Sequence, residues 1–259
     1  MKIRLSLLLV PFVLVTLPLH GQSFEGEYMH IDYLMVQPEA ENEFLDHIQA
    51  NWTDQQKERL ENEEISGWQL YKVRYPGNPD SRYNYVSVTS SNSMSAFESL
   101  QTPLDMDSPS DHRQQALKSQ ISIAHSELWR VRNSVTKEDN FQPSRFMMMD
   151  YMNVALGREY EYQMFEDEIA RPLHEDRMEL DRMNAWELYQ LITPGGMNYG
   201  YNFSTGNFFN NLEHIEFGFT DELIRANHPE VNMMDFFQTI FSTRDLVQSS
   251  LWELIEHTR

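Results

Sequence analysis

The chain has 259 residues and no cysteine. That absence excludes disulfides, thiolate metal sites, cysteine nucleophiles and an acylated lipoprotein anchor. Positive charge is scarce, with 20 Lys and Arg against 40 Asp and Glu and a formal net charge of −20. Loss of Lys2 and Arg4 with an export signal would take it two further, to −22. Such an excess repels nucleic acid and anionic lipid, so neither is an expected partner. Glycine is sparse at 10 residues, and no phosphate-cradling glycine loop occurs. A Gly-x-Ser-x-Gly elbow and a His-Glu-x-x-His pair are also missing. Asp105, Asp107 and Asp111 approach a calcium-loop spacing, but Pro109 takes a ligand position and the turn glycine is lacking. No metal site is expected.

Long apolar runs are confined to the start. Lys2 and Arg4 precede an apolar stretch, Leu5 to Leu19, that Pro11 and Pro18 interrupt before the polar His20-Gly21-Gln22-Ser23. The stretch is short for a membrane span and ends at a small residue, the pattern of a cleaved signal peptide over 1–21. The expectation is a periplasmic or extracellular protein with no membrane contact after cleavage.

The mature chain is a duplication. Asp32-Tyr33 recurs as Asp150-Tyr151, and Trp68-Gln69-Leu70-Tyr71 as Trp186-Glu187-Leu188-Tyr189. Pro76-Gly77 returns as Pro194-Gly195, and Tyr83-Asn84-Tyr85 as Tyr201-Asn202-Phe203, all at an offset of 118. The last strands, at Leu128-Trp129 and Leu251-Trp252, are offset by 123, so the second copy holds five extra residues upstream of them. A constant period over so long a stretch marks two copies of one unit. The division is 22–133 for the first repeat, 134–144 for a polar linker ending near Pro143, and 145–259 for the second.

Each repeat reads as strand, long helix, strand, strand, helix, strand. The first strands, Tyr28 to Val36 and Phe146 to Val154, are apolar on both faces, so both faces should be covered. Helices are expected over Glu39 to Glu64 and Glu159 to Arg182. Each is expected to kink or restart, at the Thr53-Asp54-Gln55-Gln56 capping box and at Pro172. Second strands run from Trp68 to Tyr75 and from Trp186 to Thr193, third strands from Tyr83 to Thr89 and from Tyr201 to Thr205. Second helices fall within Asp111 to Ile123 and Val231 to Val247.

This order is the ferredoxin-like unit, βαββαβ, whose sheet leaves one face open. Two copies can cover each other, giving an α+β fold in which the repeats pair as an intramolecular barrel. With its Trp-x-Leu-Tyr strands and the run Arg171-Pro172-Leu173-His174-Glu175-Asp176-Arg177, the chain resembles the dimeric α/β-barrel superfamily. That group includes stress-responsive barrel proteins, NIPSNAP-like proteins, cofactor-independent monooxygenases and uncharacterised secreted bacterial members. The resemblance implies the fold and says little of activity.

His174 and Arg177 are three residues apart on a helix, share a face and can converge on one anionic or carbonyl group. The first copy has Gln56 and Arg59 there, so the working site is expected in the second repeat. His174 is the candidate acid/base, Arg177 the electrostatic clamp and Tyr151 a hydrogen-bonding partner. Tyr189, Tyr201 and Trp186 are candidate ligand contacts, although the repeated strand aromatics are better core residues as a group. His30, Asp32, Lys72 and Arg74 would form a charged cluster if strands one and two were neighbours. Met147-Met148-Met149 reads as adaptable core. Asn51-Trp52-Thr53 and Asn202-Phe203-Ser204 fit the glycosylation sequon.

The expected function is binding of a small-molecule ligand, with acid/base lyase, isomerase or monooxygenase chemistry and no cofactor. The alternative is a non-catalytic binding or accessory protein. Haem, bound in one branch of the resembled superfamily, lacks a histidine in a recognisable ligation context. Monomer and homo-oligomer are both compatible with the sequence.

Overall fold

The structure is a computed structural model that describes residues 27–77, 81–99, 102–104, 112–137, 143–196 and 198–258. The segment 1–21 expected to be a signal peptide, the Asp105, Asp107 and Asp111 run and residues 138–142 of the expected linker lie outside the described residues.

Eight antiparallel strands close into one barrel in the order β1-β3-β2-β8-β5-β7-β6-β4. The first repeat supplies β1 (Tyr28–Val36), β2 (Gly67–Arg74), β3 (Tyr85–Ser91) and β4 (Ile121–Thr136). The second supplies β5 (Phe146–Val154), β6 (Ala185–Thr193), β7 (Phe203–Phe209) and β8 (Arg244–Thr258). Within each repeat the order is 4-1-3-2. The repeats join where β2 meets β8 and β4 meets β6, so neither keeps a free edge.

Strand alternation sends Met29, Ile31 and Tyr33 of β1, with Met147, Met149 and Tyr151 of β5, into the barrel. Trp129, Trp252, Tyr71 and Tyr189 fill the remaining interior, and each such burial contributes on the order of 2–3 kcal/mol. The opposite strand faces carry the helices. α1 (Glu41–His47) and α2 (Thr53–Glu61) cover the first repeat through Phe44, Ile48 and Trp52. α4 (Glu159–Phe165) and α5 (Arg171–Glu179) lie in the equivalent place on the second. α3 (His112–Lys118) precedes β4, while α6 (Asp221–Asn227) and α7 (Met233–Thr243) precede β8.

Four sequence expectations change. The long helices do not restart at a capping box. Each passes through one π-helical turn, Ile48–Trp52 and Glu166–Ala170, with Trp52 and Ala170 in helical conformation. Thr53 donates its hydroxyl to the Ile48 carbonyl at 3.0 Å instead of capping, and the same carbonyl accepts the Thr53 backbone N–H across the widened turn. Residues 121–123 and 244–247 are strand, because Ile121 pairs with Val36 and Arg244 with Val154 at the far ends of the central strands. Ser134 to Thr136, expected as linker, extend β4 along β6. β3 separates β1 from β2, so the charged cluster does not form. His30 instead sits 3.6 Å from Asp32, Lys72 pairs with Glu41 and Arg74 with Glu253.

Asn202 of one sequon both donates to and accepts from the Val154 backbone, as Asn84 does with Val36. Its amide is a structural bracket at a repeat-equivalent position.

Candidate functional site

A cavity of about 370 Å³ lies between the outer face of the second repeat's sheet and its helices. Met148, Asp150 and Met152 of β5 form the floor, because alternation turns them away from the barrel. Trp186 of β6, Thr205 and Asn207 of β7, and Arg244 of β8 widen it. Glu166 and Ala170 on the π-helical turn, with His174 and Arg177 on α5, form the opposite wall. Phe219 and Ile240 close the apolar side, and Leu246 and Ser249, both exposed, mark the mouth.

The two repeats explain why the cavity exists. At the common offset of 118, Ala170 stands where the first repeat has Trp52, Glu166 where it has Ile48, and His174 where it has Gln56. At the strand offset of 123, Arg244 stands where Ile121 does. In the first repeat Ile48, Trp52 and Ile121 are buried in one apolar cluster and Gln56 is fully enclosed. Replacing an indole by a methyl group opens the space, and three polar side chains then line it.

His174 and Arg177, paired from sequence, do meet: an Arg177 Nη1 lies 3.3 Å from His174 Nδ1. A guanidinium only donates, so Nδ1 accepts and the imidazole proton resides on Nε2. The ring stacks on Trp186 with centroids 5.1 Å apart and contacts Phe219. Burial, reinforced by the Arg177 charge, holds the histidine well below its usual pKa. It is a neutral donor at physiological pH, poorly suited to shuttling protons. Burial also brings Arg177 down to about 10, opposed by the charge of Asp150. Asp181 takes no part here, being paired with Lys137.

The carboxyls differ. Asp150 accepts from Asn207 at 3.1 Å and from the Ser249 hydroxyl at 2.5 Å. Burial raises it, against the Ser249 bond and the charges of Arg244 and Arg177. Glu166 is 5% exposed, and burial raises it to about 7, with the Tyr162 hydroxyl and Arg244 opposing and Asp150 adding. The Nε atoms of Arg177 and Arg244 are buried with no hydrogen-bond partner among the described residues. Two residues with an unmatched donor thus share the lining of one cavity with a carboxyl that exchanges its proton near neutrality.

Trp186 belongs to this cavity, whereas Tyr151, Tyr189 and Tyr201 do not. Tyr151 is one residue from Asp150 and so faces the other way, into the barrel. Its hydroxyl lies 2.8 Å from that of Tyr33, its repeat counterpart, which donates to Glu127 at 2.7 Å. Since Tyr33 spends its only proton on Glu127, Tyr151 is the donor to Tyr33. Glu127, 1% exposed, also accepts from Trp129 at 2.9 Å, from Tyr199 at 2.5 Å and from Tyr201. Tyr189 donates to Glu187 at 2.5 Å on the barrel side. Glu166, Ala170 and Arg244 went unrecognised from sequence, although the two repeat offsets contained the signal.

A wider concavity of about 930 Å³ borders the end of α2. Its lining is mostly exposed, and its Arg59 is already bonded to Gln56 and Glu64.

No family model and no curated protein matches the chain. Solved structures do. Chlorite dismutase from Candidatus Nitrospira defluvii, in complex with imidazole, is similar at a TM-score of 0.54 and 10% identity, covering 91% of this chain and 93% of that one. A heme-binding protein from Thermus thermophilus is similar at 0.51 and 8% identity, covering 90% and 92%. At such identities the likeness speaks for architecture. Together with the closed eight-strand barrel, it shows that this chain has an α/β-barrel fold built from two ferredoxin-like repeats.

Proposed function

We propose that the protein is an exported small-molecule-binding α/β barrel whose ligand occupies the cavity of the second repeat. The observation that carries this reading is the exchange of Trp52 for Ala170 at equivalent positions of two otherwise matching helices. A space of about 370 Å³, lined by apolar side chains together with Arg177, Arg244, Glu166 and Asp150, suits a small organic molecule bearing oxygen acceptors.

The fold relatives raise haem, since one is a heme-binding protein. The residues here do not fit it. His174, the histidine of the cavity wall, accepts from Arg177 at Nδ1 and therefore keeps a proton on Nε2, leaving no lone pair for iron. A metal-bound histidine ordinarily donates its second nitrogen to a carboxylate or carbonyl, the reverse of this arrangement. Buried carboxyls at Asp150 and Glu166 also stand where a porphyrin would need an apolar face.

The test is a screen of small aromatic and aliphatic carbonyl compounds and phenols by ligand-observed NMR, against wild type and Ala170→Trp. Ligands of the cavity are expected to bind wild type and to be lost in Ala170→Trp, with Ala170→Leu intermediate and the melting transition still cooperative. Hits that persist unchanged in Ala170→Trp, or an empty screen, would count against the reading.

A further inference from the structure

Resting on that reading, we infer that Glu166 is a general acid/base that moves a proton on a small carbonyl compound, while the unmatched guanidinium donors of Arg177 and Arg244 hold the enolate oxygen. Three independent observations support the assignment. Glu166 is not required by the fold, because Ile48 fills the same place on the same π-helical turn of the first repeat without loss of packing. A buried carboxyl is unfavourable there unless something uses it, since an apolar side chain satisfies the position. Arg177 and Arg244 line the same cavity, and the Nε donor of each is buried and lacks a partner among the described residues. The cavity also sets apolar side chains, Phe165, Phe219 and Ile240, among the charged ones, with Phe219 against both His174 and Arg177, which suits a molecule having polar and hydrocarbon parts.

Charge balance favours a neutral substrate. With Glu166 and Asp150 ionised, two carboxylates face two guanidiniums and His174 is neutral, so the site starts near zero net charge. Proton abstraction keeps it there. The Glu166 carboxylate takes a proton from the carbon beside the carbonyl; the C–H pair becomes the C=C bond, and the carbonyl π pair moves to oxygen. The oxyanion is stabilised by the waiting N–H groups. Return of the proton to carbon completes the exchange or isomerisation, and no electron or co-reactant is consumed. The groups that set the titration of Glu166 are Tyr162 of α4, Arg244 of β8 and Asp150 of β5, and burial places the working range near pH 7.

Two probes on the mature full chain separate this inference from the binding reading. The first is 4-nitrophenol, whose phenolate mimics an enolate and whose ionisation is visible by absorbance. Wild type is expected to bind the phenolate, Arg244→Gln at least about tenfold more weakly, and Ala170→Trp not at all. The second is acetophenone in D2O, with deuterium exchange at its methyl group followed by NMR. Wild type is expected to accelerate exchange, with a rate that rises through about pH 7 and then levels. Glu166→Gln should slow exchange at least about 100-fold while still binding 4-nitrophenol in the cavity, more tightly than wild type above pH 7 because a negative charge beside the phenolate is gone. Glu166→Asp, which keeps the carboxyl, should recover part of the rate. Exchange equally fast in Glu166→Gln, or absent in wild type that binds 4-nitrophenol in the cavity, overturns the proton-transfer role and leaves the binding reading standing. Failure of both probes to bind or react overturns both.

Discussion

Single residues decide the character of this site, and Glu166 most of all. Its carboxyl, raised from 4.5 to about 7 by burial, leaves a signature in stability. Below the unfolded carboxylate range both states hold the proton; between about 4.5 and about 7 only the folded state does. Stability therefore falls as pH rises through that window, by on the order of 3 kcal/mol in all. Glu166→Gln abolishes this loss. Urea melts at pH 5 and pH 8 should show wild type losing stability relative to the variant; a pH-independent difference would place the carboxyl elsewhere. Glu127 makes the opposite case, a carboxylate used for structure. Four donors, from Tyr33, Trp129, Tyr199 and Tyr201, converge on it inside the barrel. Glu127→Gln places an amide N–H₂ among those donors and leaves part of the set unmatched. A loss of about 2–4 kcal/mol is expected, measured by chemical denaturation with Trp fluorescence.

The elements show why some of this was legible in the sequence and some was not. The strands were clear because two-residue alternation and repeated aromatics agree in both copies, down to Trp68 and Trp186 at equivalent buried positions. The long helices are legible in the sequence, but the π-helical turn at the centre of each is not. A π-helical turn inserts an extra residue and rotates the following face by about 100°, so helical periodicity alone cannot assign Glu166 and Ala170 to the sheet side. Glu166 belongs to an acidic run, Glu166-Asp167-Glu168, that carries no apolar marker of burial, yet it is buried while Glu168 is exposed. Comparison with Ile48 and Trp52 would have resolved it, because those residues are unmistakably core. Tyr151 failed as a companion of His174 for the simplest reason: neighbours in a strand point to opposite faces. His174 and Arg177 were found because an i, i+3 pair stays on one face whatever the turn before it does.

At the scale of the whole molecule, the barrel is shared property. Each repeat contributes four strands, but the seams β2 with β8 and β4 with β6 run between repeats, and the interior cluster mixes side chains from both. Tyr33 and Tyr151, hydrogen-bonded at 2.8 Å and separated by one repeat length, sit across the pseudo-two-fold relation itself. A separate first repeat, starting at Ser23 and ending at Lys137, would keep its helices over one sheet face. It would expose Met29, Ile31, Tyr33 and Trp129 on the other, together with two strand edges. An uncovered apolar face of that kind drives association. The favourable outcome is a homodimer that rebuilds the barrel from two identical halves, since both repeats share the 4-1-3-2 order and the same seam geometry. Analytical ultracentrifugation should report a dimer or larger species at micromolar concentration, and a compact monomer would refute the shared-interior argument. The dimer would lack the working cavity, because Trp52 and Ile48 fill that space in both of its halves. It should therefore fold without binding any ligand of the second-repeat site, which separates the role of duplication in building the barrel from its role in freeing one copy for function.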